Sequence, residues 1–220
     1  MTGREMKIKG LTIAFFGITA ILIFAEYFMF QQIVFCIKPF LIPFLFALYI
    51  VKSSKICPFY LFALFFAFLS NIFLLFSDPK LLLYGIIAFL FYRIASIFVV
   101  LKNGDSTAIL PLFLATLPFL FMFSYLIDVM VSPDNPSFYA TILNNIIISI
   151  FCGMGLSNYV MNDNKQNSWL LISTLLFTFL VILFMFDKFY LSFQIFKPLS
   201  VFVFSMAHFC FLKFMEEAEN

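Results

Sequence analysis

Apolar runs of about twenty residues recur from one end of this chain to the other, separated by polar links of about a dozen residues or fewer. At ~1.5 Å of helix rise per residue, such runs are long enough to cross the ~30 Å hydrocarbon core of a bilayer. Of 220 residues, 64% are apolar and 11% charged, with a mean hydropathy of +1.10. No water-soluble domain of this size has interior enough to bury that much apolar side chain. Lipid offers the backbone no hydrogen bonds, so each run is expected to close its own as a helix. The expected fold class is therefore all-α: a polytopic membrane helix bundle of about eight transmembrane helices with short loops, forming one domain.

The spans are expected at Leu11–Phe30, Ile33–Val51, Phe59–Phe76, Leu81–Leu101, Thr107–Ile127, Phe138–Val160, Ser168–Phe186 and Leu199–Phe214. They divide the chain into a cytoplasmic basic amino end (1–10), an eight-helix transmembrane domain (11–214) and a solvated acidic tail (215–220). AEYFMF, without a small-residue cleavage site, follows the first run, which reads as a retained span. The links are KSSKICP, the tight turn SDPK, KNGDS (Lys102 to Ser106), VSPDNPS, MNDNKQN and DKFYLSFQIFKP. Eight cations fall on the side shared by the two ends: Arg4, Lys7, Lys9, Lys52, Lys55, Lys102, Lys165 and Lys213. Four fall on the other, Lys38, Lys80, Lys188 and Lys197, with Arg93 inside the membrane. Positive residues favour the cytoplasm, so both termini are expected there, in the inner (plasma) membrane of a bacterium.

Polar residues inside the spans are penalised by lipid and so carry the information: Glu26, Lys38, Ser70, Asn71, Arg93, Asn144, Asn145, Ser149 and His208. Lys38 heads a span that Pro39 and Pro43 interrupt, each removing a backbone donor. It either snorkels to the interface or faces a polar cavity within the bundle. A lysine in hydrocarbon costs ~2.5 kcal/mol or more at mid-membrane. Arg93 is costlier still and has two readings. One is structural, an ion pair with Glu26 or a hydrogen-bonded arginine–asparagine network. The other is a site for phosphate or carboxylate, which guanidinium matches bidentately. His208 reads as a hydrogen-bonded spacer or as a catalytic group, and Asn144-Asn145 as glue between helices. The four cysteines are scattered in or beside apolar runs, without metal-like spacing. Nothing resembles a metal cluster, a nucleotide-binding glycine loop or a Ser-His-Asp set, so no metal, cofactor or nucleic-acid partner is expected.

Taken with the eight short-looped spans, Lys38-Pro39 and the pair Ser70-Asn71, the segments KPFLIPFLFAL (Lys38 to Leu48), GIIAFLFYR (Gly85 to Arg93) and DKFY after span seven resemble the YhhN-like lysoplasmalogenase family. The resemblance covers nearly the whole chain. It implies hydrolysis of the vinyl-ether bond of lysoplasmalogens, releasing a fatty aldehyde and a glycerophospho-base. That chemistry wants a proton donor for the enol-ether carbon and a base for water, roles two intramembrane carboxyls can fill. The family pattern has Gly-Asp in span three, which falls here on Ser70-Asn71, and Ser-Asp in span seven, which falls on Leu180-Val181. Its span-four histidine aligns with Arg93 and its span-eight glutamine with His208; only Lys38-Pro39 is intact. Asp187 is not expected to stand in, lying six residues beyond Val181, ~9 Å along a helix and on another face.

These departures lead to an expected binder of a lysophospholipid-like single-chain lipid, with catalysis impaired or lost. The binding residues expected are Lys38, Arg93, Asn71 and Asn144, and the candidates for residual chemistry are Asn71 and His208. A rival is an active lysoplasmalogenase-type hydrolase, with His208 as acid and base. A third is a small-molecule transporter or accessory subunit, against which stands the absence of a convincing internal sequence repeat.

Overall fold

The computed structural model describes residues 3–76, 78–104 and 108–219. Ser77 of the SDPK turn, Asp105 and Ser106 of the next one, Thr107 at the expected start of span five, and the last tail residue, Asn220, lie outside them. Each of the eight expected spans corresponds to a helix or helix pair among the described residues. They are α1 (Gly3–Tyr27), an interrupted pair α2 (Gln31–Ile37) and α3 (Leu41–Lys52), α4 (Pro58–Phe73), α5 (Pro79–Asn103), α6 (Ile109–Met130), α7 (Phe138–Met161), α8 (Lys165–Met185) and α9 (Phe196–Glu217). Among the described residues, seven spans, counting α2–α3 as one, are long and apolar enough to cross a membrane. The protein is therefore an integral, multi-pass membrane protein.

The exception is α4, whose 16 residues reach only ~24 Å. It was expected to run to Phe76 but stops at Phe73, and Leu74, Leu75 and Phe76 continue along the wall of a cavity. Non-helical backbone is tolerated at membrane depth where it borders such a cavity.

Three local irregularities set the architecture near that cavity. Pro39 cannot donate to the carbonyl one turn back, and the chain tightens into a 3-10 turn over Lys38–Phe40 between α2 and α3. Pro43 falls in the first turn of α3, where its missing N–H costs nothing. The end of α1 is closed by Phe30 N–H donating to Ala25 O and Met29 N–H to Glu26 O, with Met29 left-handed at φ 58° in the place glycine usually takes. Beyond Met185, α8 widens into a π-helical turn, Phe186–Tyr190.

The helices close a ring. α1 packs on α9 and α3, α3 on α4, α4 on α5, α5 on α7, α7 on α8, and α8 back on α9. Helix α6 lies outside against α7, presenting Ile109, Leu110, Phe121 and Tyr125 outward. Small residues allow the closest approaches: a Cβ at Gly85 would meet Leu74, and one at Gly155 would meet Thr174 across the α7–α8 seam.

At one end of the bundle the two chain ends meet. Of the amino end, the described residues 3–10 form the first turns of α1, and Arg4 donates to the carbonyls of Val51 and Lys52 at the end of α3. The acidic tail, expected to be solvated, is instead clasped. Glu216 pairs with Lys52 and Lys213, Glu217 with Lys165, and Glu219 accepts from Ser53 and Ser54. Burial of the Glu219 carboxyl works against its ionisation, but the hydrogen bonds from Ser53 and Ser54 outweigh it and hold the group below its ordinary range. A depressed carboxyl contributes its stabilisation above its unfolded pKa and loses it as pH falls through the folded one. The tail is thus expected to stay docked at neutral pH and to release only as pH falls below the ordinary glutamate range. Hydrogen exchange at Ser54, whose amide donates to Glu219, checks this; release near pH 6 would refute it.

Candidate functional site

At the opposite end, the ring encloses a cavity of about 510 Å³. Its wall comes from the carboxyl ends of α1, α4 and α8 and the amino ends of α2, α5, α7 and α9. Four of the residues read from the sequence as binding groups, Lys38, Asn71, Arg93 and Asn144, line this one space. Leu180 and Val181 line it too.

Each polar group is held by an identifiable contact. Lys38, at the break between α2 and α3, donates to Glu26 at 2.9 Å, so the lysine faces the cavity with a carboxylate beside it. Asn71 ties the break down from α4, its side-chain amide donating to the Lys38 carbonyl at 2.9 Å. Ser70 next to it donates to the Gly85 carbonyl at 2.8 Å, which sets α4 against the first turns of the arginine-bearing helix. The Lys38 carbonyl also accepts from the Leu41 N–H of the 3-10 turn, so the Asn71 amide is a second donor to it, from a neighbouring helix.

Arg93 is 3% exposed and reaches Asn144, donating to its side-chain oxygen. Its guanidinium carbon stands 5.6 Å from the centre of the Phe89 ring. The ion pair with Glu26 considered from the sequence does not form, because Glu26 belongs to Lys38; the arginine–asparagine contact does. Among the described residues no carboxylate pairs with Arg93, and its Nε has no hydrogen-bond partner. A guanidinium offers five N–H donors and stays charged, so a neutral amide leaves it far from satisfied.

His208 is not among the lining residues. It sits one layer behind, boxed by Tyr92, Phe177 and Phe204, with Nδ1 3.5 Å from the Tyr92 hydroxyl and Nε2 without a partner among the described residues. Of the two candidates for chemistry, only Asn71 is in the cavity.

The lining also contains groups the linear reading passed over. Asp187 was set aside on the geometry of a straight α-helix, but the π-helical turn changes the register after Met185 and the residue lines the cavity. Its carboxylate accepts from Ser192 at 2.6 Å and lies 3.4 Å from the Lys188 ammonium. Ser192 and Gln194, from the link into α9, and Lys197, in its first turn, complete the mouth. The density of polar residues in DKFYLSFQIFKP was the available signal; read as a linker, it gave no reason to fold inward. No group of three or more histidine, cysteine or carboxylate side chains suited to a metal occurs among the described residues.

A family model described as the YhhN family matches residues 33–215. No curated protein and no solved structure matches.

Proposed function

The chain belongs to the YhhN family, and from that membership we propose that this lysoplasmalogenase-like membrane protein binds a single-chain, lysophospholipid-like lipid with the family's hydrolysis impaired or lost. The observation that carries the reading is Arg93: a buried cation, facing a cavity, with only a neutral amide to meet it. A phosphate supplies what it lacks, and the mix of Phe35, Phe89, Phe184 and Phe204 with polar groups in the wall suits an amphiphile. Lys38 and Asn144 flank the anion, and Asn71 bonds near the linkage. Both termini lie in the cytoplasm of a bacterium and the cavity opens on the far side of the inner membrane. The distribution of lysine and arginine supports that orientation, and the meeting of Arg4 and Glu216 around Lys52 supports a shared side for the two ends.

A ligand that binds only the folded state stabilises it by RT ln(1 + [L]/Kd), ~2.7 kcal/mol at a hundredfold excess over Kd. Lysophospholipid added to the detergent-solubilised protein is accordingly expected to raise its melting temperature by several degrees, and Arg93→Met to lose most of that gain. The reading is overturned if no single-chain lipid shifts the wild type.

A second reading has its own support, the two carboxylates in the cavity wall. Glu26 and Asp187 supply the oxygen chemistry that positions 71 and 181 lack, and an active hydrolase would work through them. Aldehyde release by the wild type that vanishes in Asp187→Asn or Glu26→Gln selects this alternative.

A further inference from the structure

The charges around the cavity do not cancel. Among the described residues, four cations, Lys38, Arg93, Lys188 and Lys197, and two carboxylates, Glu26 and Asp187, line it. Glu26 answers Lys38 at 2.9 Å, and Asp187 answers Lys188 at 3.4 Å. Among the described residues no carboxylate stands within ion-pair reach of Arg93 or Lys197. Two positive charges therefore remain, and they sit at different depths. Lys197 is the second residue of α9, exposed at the rim. Arg93 is fourteen residues beyond the first residue of α5, ~21 Å along its axis, and buried.

A buried cation without a counter-ion is costly in a low-dielectric interior, and Asn144 removes only part of that cost. The cavity is thus completed by an anion, and the count of unmatched cations bears on which one. We infer that the site takes a head group with two negative charges, a phosphate monoester, in preference to the zwitterionic phosphodiesters of choline and ethanolamine. The inference rests on the lipid-binding reading above and specifies its head group.

A phosphate monoester carries about −1.5 to −2 near pH 7, so it gains from both unmatched cations, from Arg93 by contact and from the rim cation Lys197 through the field of the cavity. A choline or ethanolamine head carries one negative charge and one positive. Its phosphate satisfies Arg93, but its ammonium meets a rim where both carboxylates are already engaged and Lys197 is not. A fatty acid brings one charge and leaves the second cation unmet. Glycerol 3-phosphate or inorganic phosphate shares the monoester chemistry without the chain.

The test is a binding panel on the full chain in detergent, read by native mass spectrometry or calorimetry. It comprises a single-chain acylglycerol phosphate, the choline and ethanolamine diesters and fatty acid of matched chain, glycerol 3-phosphate and inorganic phosphate. The monoester lipid is expected to bind about tenfold more tightly than either diester. Lys197→Gln, at an exposed position that leaves the fold intact, is expected to bring the monoester close to the diester while the diester changes little. Arg93→Gln is expected to weaken every phosphate ligand about tenfold or more. Choline lipid binding as tightly as the monoester overturns the charge argument and leaves lipid binding standing. Failure of every lipid in the panel overturns the lipid reading itself. Glycerol 3-phosphate binding as tightly as the lipid upholds the dianion site and overturns a lipid as its source.

Discussion

Lysoplasmalogen incubated with the wild-type protein is expected to release no aldehyde above the uncatalysed rate, and the double variant Asn71→Asp/Val181→Asp is expected to release it. Vinyl-ether hydrolysis needs a proton delivered to the enol-ether carbon. Water then attacks the resulting oxocarbenium ion, and the hemiacetal collapses to aldehyde and alcohol. Asparagine cannot deliver the proton near neutral pH, and valine can neither donate nor accept one. Yet Asn71 and Val181 both line the cavity, on α4 and α8, so carboxyls placed there would share one space with a bound substrate. General acid–base groups contribute ~10²–10⁴-fold each, and neither single variant restores the pair.

Asn71 adds a mechanical argument. Its amide donates to the Lys38 carbonyl at the helix break. A carboxyl at that position keeps the bond only in its protonated form, which is the form an acid catalyst starts from. Aldehyde release assayed in micelles decides the matter. Robust wild-type turnover, or a double variant that folds and stays silent, would refute this account of why the chemistry is missing.

How much of this was legible in the sequence follows from which forces act locally. The spans were, because a bilayer demands that each apolar run satisfy its own backbone, and that demand is written residue by residue. The candidates were too, because polar side chains in lipid have few places to go except inward, but that Lys38, Asn71, Arg93 and Asn144 share one space was not. The partners were not. Glu26 was available to either cation, and only the closure of α1 at Met29 and the turn at Pro39 decide that it meets Lys38. Asp187 was hidden for a related reason: one π-helical turn moves it into the lining, and nothing in FDKFY distinguishes that turn from continued α-helix. His208 shows the converse. A polar residue in a span suggests the cavity, but the Tyr92 hydroxyl and the faces of three rings provide a lodging elsewhere. The tail was misjudged because its partners, Lys52, Ser53 and Ser54, are more than 160 residues away in the chain.

Gly153→Val is expected to be the most damaging single substitution for folding, loosening α6 from the ring. A Cβ at Gly153 would overlap the Thr116 Oγ1 and fall 3.0 Å from the Thr116 Cα. The hydroxyl cannot simply swing away, since it donates to the Leu112 carbonyl at 2.8 Å, and the Cα belongs to the backbone. The helices themselves must separate, and α6 holds to the rest of the protein chiefly through this seam with α7. Without a hydrophobic driving force between helices in lipid, close van der Waals packing is most of what keeps such a helix in place. Overpacking costs ~1–3 kcal/mol for added methylenes, and a branched side chain against backbone belongs at or above the top of that range.

The comparison that makes this specific is Gly17→Ala in α1, where nothing lies within 4 Å of the added carbon. That change is expected to be neutral or to stabilise by up to ~1 kcal/mol through helix propensity alone. Thr116→Ala is expected to rescue Gly153→Ala in part, by removing the hydroxyl, but not Gly153→Val, which still meets the Cα. Thermal unfolding in one detergent for all six variants, the two doubles included, measures the pattern as double-mutant cycles plus a control. Equal losses at Gly17 and Gly153 would mean that chain flexibility, and not the approach of α6 to α7, is what the glycine supplies.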